Sequence, residues 1–269
     1  MSNYISEGLD KIFKDEYAPP IHSLTLVILC AIIAVSLYPE MLVKMDMFQY
    51  QDYKTYHDVT NTISSVALIL FNIYIAGYNL IIINRSLKNE ATILPDIDNA
   101  PYKVFFNYFP AQVYWFIYYA IIPCALCAGI FYLRNTFYVY TAIPVALLFL
   151  LFVPFLSFIP VCYAKNFDKK GLFDIRLPFR FIKMKKELYK LIIQFAPLWF
   201  LAAIFVFLTY YTNLPSKMQS NVTIVEDFFY QKLFVMDVLS AYLEIILTFL
   251  WSYCIARVFA GTGAAGTER

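Results

Sequence analysis

The sequence predicts an all-α integral membrane protein, a polytopic bundle of six transmembrane helices with three amphipathic helices lying on its cytoplasmic face. Three observations predict it. Hydrophobic residues make up 61% of the chain and charged residues only 15%, where a soluble domain carries about 25% charged. The mean hydropathy of +0.62 over 269 residues leaves more apolar surface than one water-solvated core can hide. Positive charge, finally, is concentrated in one stretch. Between Lys165 and Lys190 stand nine cations (Lys165, Lys169, Lys170, Arg176, Arg180, Lys183, Lys185, Lys186, Lys190) against three acids (Asp168, Asp174, Glu187), a local +6 in a chain whose formal charge is only +2. Such a cluster beside hydrocarbon-like sequence marks a cytoplasmic loop, because Lys and Arg resist translocation.

In chain order, residues 1–20 place Ile5, Leu9, Ile12 and Phe13 on one helical face and Glu7, Asp10, Lys11, Lys14, Asp15 and Glu16 around the rest. That is the pattern of a helix lying flat on a membrane. Pro19 and Pro20 end it, and the apolar run Ile21–Tyr38 is the first span, long enough for a core of about 30 Å at 1.5 Å per residue. The acid-rich start lacks the basic region of a cleaved signal peptide. Pro39–Thr62 is a polar outer connection, and the second span, Ser64–Ile83, contains Asn72, Gly77 and Asn79. Within the loop Asn84–Gln112, Val104, Phe105, Tyr108 and Phe109 share one face of a second interfacial helix over Pro101–Phe109. The third span is Val113–Leu133 and joins the fourth, Tyr138–Ala164, through a link around Arg134. Pro144, Pro154 and Pro160 predict kinks or a break in the fourth span.

After the basic loop, Phe181, Met184 and Leu188 recur at helical spacing among the charges of Pro178–Lys190, giving the third interfacial helix. Leu191–Tyr211 is the fifth span, with Gln194 and Pro197 inside it. Thr212–Leu233 is a polar connection holding an Asn221-Val222-Thr223 glycosylation sequon, and Phe234–Phe259 is the sixth span. Residues 1–260 form a single membrane domain and 261–269, with three of the chain's glycines at Gly261, Gly263 and Gly266, a flexible cytoplasmic tail. With the N-terminus inside, cytoplasmic segments hold 16 Lys and Arg and outer segments 5. Both termini therefore face the cytoplasm and the host is the cytoplasmic membrane.

Two loops repeat a pattern. Asp96-Ile97 is followed after a short gap by Pro101-Tyr102-Lys103, and Asp174-Ile175 by Pro178-Phe179-Arg180. Each precedes an odd-numbered span, with the proline suited to the first turn of a helix. The N-terminal segment plays the same part by position, so the chain reads as a threefold repeat of interfacial helix, span, span. Gly77-Tyr78, then Arg85, then Leu94-Pro95-Asp96-Ile97, with a basic aromatic helix after the fourth span, resembles the prokaryotic membrane family known as domain of unknown function 4013. That family is broadly similar to the membrane domain found beside some bacterial glycerophosphodiester phosphodiesterases. The resemblance implies six or so spans and no established activity, and the phosphodiesterase catalytic domain has no counterpart here. Family members often show a glycine before the acid that precedes Leu-Pro; here Asn89 precedes Glu90.

Two sets of residues are candidates for function. Asp237 and Glu244, seven apart in the sixth span with Ser240 between, lie on nearly one face, and a mid-bilayer acid costs about 2.5 kcal/mol or more unless paired or wet. They form a cation or proton site, or else Asp237 sits at the outer interface and Glu244 bonds Asn72, Asn79 or Gln194 across helices. Arg176, Arg180, Lys183, Lys185, Lys186 and Lys190 are the candidate docking set for anionic lipid headgroups or a partner protein, a second copy included. No nucleic-acid recognition fold accompanies the charge. Cys124 and Cys127 spell C-x-x-C without a second pair or nearby His, and the two histidines, His22 and His57, stand apart, so no metal or cofactor is implied. No phosphate loop, nucleophile elbow or zinc-protease motif is present. The sequence thus predicts a non-catalytic membrane component that binds lipid or a partner, the alternative being a small permease or channel using Glu244.

Overall fold

The computed structural model describes residues 4–44, 50–96, 100–133, 153–169, 171–174, 176–213 and 223–261, and among them every regular element is helical. The α-helices are α1 (Tyr4–Lys14), α2 (Ala18–Lys44), α3 (Tyr50–Leu87), α4 (Pro101–Leu133), α5 (Ile159–Asn166), α6 (Leu177–Arg180), α7 (Lys185–Asn213) and α8 (Thr223–Gly261). Single 3₁₀ stretches, Val153–Phe158 and Phe181–Met184, lead into α5 and join α6 to α7. Among the described residues four segments are long and apolar enough to cross a membrane: Ala18–Leu37, Thr55–Leu87, Phe181–Phe207 and Phe234–Gly261. The chain is therefore a helical protein with several membrane-capable helices. Residues 134–152, with most of the fourth span, Pro144 and the Arg134 link, lie outside the described residues, as do Asn221, Val222 and 262–269. The side chains of Cys124 and Cys127 lie outside them too.

Helix α3 is the axis of the packing. From Leu80 to Asn84 every residue is buried, because α2, α4, α5 and α8 all pack around this end of it. Upstream, Val66, Leu68, Ile69 and Leu70 of the same helix are exposed. Helix α8 repeats the gradient, buried almost continuously from Ile245 to Phe259. Helix α2 contributes a narrower ridge, Ala18, Ile21, Thr25 and Leu29, spaced as one face of a helix. The buried residues thus gather at the end of the bundle that carries α1, the 88–96 loop and the basic segment, called here the basic end.

Helix boundaries depart from the sequence reading in several places. Pro19 and Pro20 do not end α1, which stops at Lys14, but lie in the first turn of α2, and the Thr212–Leu233 connection is helical from Thr223, where α8 begins. The Pro39–Thr62 connection is helical over much of its length, since α2 runs to Lys44 and α3 starts at Tyr50. Polar side chains in its second half bond back to their own helix, Thr60 Oγ1 to the Tyr56 carbonyl and Thr62 Oγ1 to the Asp58 carbonyl, so polarity there does not break the helix. The Pro101–Phe109 segment and the third span form one continuous helix, begun by Pro101 as expected. Pro110 does not interrupt it. The basic amphipathic segment likewise runs into the fifth span through a 3₁₀ joint. Among the described residues only α1 is a separate amphipathic helix. At Pro154 and Pro160 the expected irregularity is found, as 3₁₀ geometry that gives way to α.

Close backbone approach fixes two helix pairs. A Cβ on Gly77 would overlap the backbone carbonyl of Pro101, and one on Gly8 would lie 2.6 Å from Leu250 Cδ1 and 2.8 Å from Tyr253 Cδ1. Gly77 lets the first turn of α4 rest on α3, and Gly8 lets α1 rest on α8.

Two helix starts share one geometry. The Asp15 carboxylate accepts the Tyr17 N–H at 3.1 Å and its carbonyl accepts the Ala18 N–H at 2.9 Å. The Asp174 carboxylate accepts the Arg176 N–H at 2.9 Å and its carbonyl the Leu177 N–H at 2.8 Å. Each is an Asp turn that satisfies N–H groups at a helix start, with a proline four residues after the Asp, Pro19 and Pro178.

Candidate functional site at the basic end

Short polar residues and helix termini build a clasp at the basic end. Helix α3 ends in a Schellman motif: Asn89 takes a positive φ of 56°, the Glu90 N–H reaches the Arg85 carbonyl at 3.0 Å and the Asn89 N–H the Ser86 carbonyl at 3.2 Å. Asn tolerates this left-handed position best after Gly, so Asn89 does glycine's conformational work here. The chain then turns back over α3. Arg85 Nη1 donates to the Leu94 carbonyl at 2.6 Å, Arg85 Nε lies 3.6 Å from Glu90 Oε2, and the Tyr78 hydroxyl donates to the Pro95 carbonyl.

The second oxygen of Asp15 closes the clasp from the other side. Asp15 is only 9% exposed, and its Oδ2 accepts the N–H groups of Ile93 at 2.7 Å and Leu94 at 3.1 Å. Helix α1 reinforces it: Lys11 Nζ donates to the Ala91 carbonyl at 2.8 Å. Glu7 accepts from the Tyr253 hydroxyl and lies 3.7 Å from Arg257 Nη2, while Arg257 Nη1 donates to Asn89 Oδ1 at 2.9 Å. Four parts of the chain, α1, the start of α2, the 88–96 loop and the end of α8, are locked by one polar network. An open groove of about 670 Å³, lined by Ser6, Glu7, Asp10, Lys11, Lys14, Asp15 and Ala91, runs beside it. Helix α1 also leaves Leu9 and Phe13 exposed opposite that groove, the arrangement of a helix with one wet and one lipid-facing side.

The basic segment is anchored separately. Trp115 of α4 donates its Nε1–H to the Leu172 carbonyl at 2.7 Å, and Tyr114 meets Phe173 edge-on with ring centroids 5.3 Å apart. Tyr163 of α5 donates to the Val104 carbonyl at 3.1 Å and packs on Tyr108 at 5.1 Å. Burial, with Cys162 second, pushes the Tyr108 phenol above its ordinary range, so it acts here as a neutral packing group. Asn84 of α3 donates from its side-chain amide to the Ala164 carbonyl at the end of α5.

Phe181, Met184 and Leu188 share one face, as their spacing predicts, and that face is buried in the bundle. Phe181 packs between Phe158 and Phe259, at 5.0 and 6.3 Å. The cations divide into two groups. Arg180 pairs with Asp174 at 2.7 Å and Lys190 with Glu187 at 3.5 Å. Arg176, Lys183, Lys185 and Lys186 are exposed, and among the described residues no carboxylate pairs with Lys183, Lys185 or Lys186.

The intramembrane candidates do not come together as one group. Asn79 accepts a hydrogen bond from Ser252 of α8 at 3.0 Å. Asn72 of α3 and Gln194 of α7 are exposed, and Asp237 is half-buried with a partner of its own. Glu244 is exposed in a shallow groove beside Ala202, Ala203, Val206 and Phe207 of α7, its carbonyl accepting from Thr248 Oγ1 at 2.7 Å. Among the described residues no cluster of three metal-ligating side chains occurs. Sequence reasoning singled out neither Asp15 nor Glu7, Asn84, Tyr253 or Ser252 as functional. Asp15 carried a legible signal, the Asp-x-x-x-Pro spacing it shares with Asp174 and Pro178. No protein-family model, no curated protein and no solved structure matches the chain.

Proposed function

We propose that the chain is a non-catalytic, six-span component of the cytoplasmic membrane, both termini inside, that binds anionic lipid or a partner protein through its basic end. One observation carries the reading: the segment from Phe181 to Leu188 is fixed by three buried apolar side chains while Lys183, Lys185 and Lys186 stand exposed. A loop that only set topology would need cations but no such anchoring. The threefold repeat belongs to the same proposal and is supported by the shared turn at Asp15 and Asp174. The resemblance to the family of unknown function 4013 agrees with this architecture.

The test is native mass spectrometry of the protein released from its own membrane into lipid nanodiscs. A lipid or protein retained by the wild type and lost in Lys183→Glu/Lys185→Glu/Lys186→Glu supports the proposal, once cysteine accessibility shows an unchanged topology. Retention that ignores the reversal defeats it. The permease reading rests on Glu244, a carboxylate ten residues from Phe234 and so about 15 Å along the helix from the start of its span. In proteoliposomes, Glu244→Gln abolishes flux if that reading holds.

A further inference from the structure

We infer that the occupant of the basic turn is one anionic phospholipid of the adjoining leaflet, its phosphate between Lys183 and Lys186 and its acyl chains along the outward ridge of α7. The inference rests on the docking reading above and narrows it to a single ligand and a single face.

The inward face of this segment is fixed. Phe181, Met184, Leu188, Leu191 and Phe195 are all buried, which sets the rotation of the helix from the 3₁₀ joint through about three turns of α7. The opposite face is a continuous ridge. Starting from Lys186, Ile193, Phe200 and Phe207 follow at successive intervals of seven residues, nearly the same helical azimuth each time, with about 10.5 Å of rise per interval. These three side chains are 70%, 67% and 62% exposed, among the most exposed large apolar groups of the chain. In water such a stripe is unfavourable at about 25 cal/mol per Å², so acyl chains are its natural cover. Lys186 therefore stands one interval above the first acyl-facing side chain, at headgroup depth, and Lys183 stands three residues before it.

Charge selects the headgroup. Asp174 pairs with Arg180 and Glu187 with Lys190, which leaves Lys183, Lys185 and Lys186 as the exposed lysines of the turn; of these Lys186 is in line with the ridge and Lys183 stands one helical turn before it, with exposed Ile182 beside them. A phosphate diester with a net negative charge satisfies both ammonium groups, whereas a zwitterionic choline lipid brings its own cation to compete. A soluble anion would satisfy the lysines but leave the apolar ridge unused. Lysine retains mobility as a point charge, which suits a lipid that exchanges with the leaflet.

The experiment uses the full chain in nanodiscs of phosphatidylcholine doped with phosphatidylglycerol, read by native mass spectrometry as lipid retained per protein. The wild type retains phosphatidylglycerol over phosphatidylcholine. Lys183→Gln/Lys186→Gln lowers that retention roughly tenfold, the order expected for two headgroup-layer charges after screening. Phe200→Ser lowers it too, Lys165→Gln/Lys169→Gln does not, and free glycerol phosphate does not displace the lipid. Because Lys183, Lys186 and Phe200 are exposed, unchanged thermal unfolding in detergent certifies that the variants are folded. Displacement by glycerol phosphate, or retention untouched by both Lys183→Gln/Lys186→Gln and Phe200→Ser, overturns the single-lipid site. If only Lys183→Glu/Lys185→Glu/Lys186→Glu then abolishes lipid or partner binding, the docking reading survives without this site. If that reversal also changes nothing, both fall.

Discussion

Asp15 Oδ2 accepts the backbone N–H of Leu94 at 3.1 Å, across 79 residues of chain. The same carboxylate caps the start of α2 through Tyr17 and takes the Ile93 N–H. One short side chain therefore ties the beginning of the first membrane-capable helix to the loop that follows the second. Buried N–H groups are costly when left without acceptors, so the fold at this end depends on a residue that composition and hydropathy pass over as one more acid in an amphipathic helix.

Asp15→Ala leaves the Ile93 and Leu94 N–H groups buried without an acceptor and should cost about 1–3 kcal/mol for each group unsatisfied. Asp15→Asn keeps one amide oxygen and should lose less. Thermal unfolding in detergent micelles ranks them: wild type above Asn, Asn above Ala. Equal midpoints for wild type and Ala would show the clasp to be ornamental.

Gly77 and Gly8 both sit at helix contacts, yet they differ in what an added methyl meets. At Gly77 it meets the main-chain carbonyl of Pro101, which cannot move without displacing α4; at Gly8 it meets the side chains of Leu250 and Tyr253. Gly77→Ala should abolish folded protein by size-exclusion analysis, or lower the midpoint far more than Gly8→Ala, for which overpacking of about 1–3 kcal/mol is the scale. The reverse order would mean that α3 and α4 separate easily.

Much of the architecture was legible. Runs such as Ile21–Tyr38 and Phe234–Phe259 lie within α2 and α8, and Phe181, Met184 and Leu188 share one helical face as their spacing predicts. Helix ends were not legible, because apolar runs mark hydrocarbon and not hydrogen bonding: α3 begins fourteen residues before Ser64. Helix α4 passes through Pro110, where one lost N–H on an exposed face does not force a break. At the site, the exposure of Lys183, Lys185 and Lys186 followed from periodicity. The Asp15 network did not, since contacts spanning 79 residues leave no local pattern. Asn79 is an intramembrane candidate by its place in the second span, but its partner Ser252 is an ordinary small residue in sequence.

Asn89 can be separated into backbone and side-chain parts. Its φ of 56° suits glycine, while its Oδ1 accepts from Arg257. Asn89→Gly should relieve the backbone and lose the hydrogen bond, for a change within about 0.5 kcal/mol. Asn89→Ala loses the bond and adds a left-handed penalty of about 1 kcal/mol. Chemical denaturation of the two variants should place Ala clearly below Gly; an Ala variant as stable as Gly would contradict the Schellman geometry.

Trp115 offers the last test, because it separates anchoring of the basic loop from stability of the bundle. Its indole donates to the Leu172 carbonyl, and Leu172 is buried, so Trp115→Phe preserves the ring contact with the bundle but leaves that carbonyl without its donor. The loss, about 1 kcal/mol, falls on local opening of the loop, where Lys165, Lys169 and Arg176 are trypsin sites. When opening and closing outpace cleavage, the rate follows the population of the open form, and 1.4 kcal/mol is a factor of ten. Trypsin should therefore cut Trp115→Phe about five- to tenfold faster within this loop. Phe116→Leu, changed at a neighbouring exposed position, should be cut at the wild-type rate. Cleavage that is equally fast in both variants would mean that the loop is held by something other than the indole, and the Tyr114–Phe173 contact would be the next to remove.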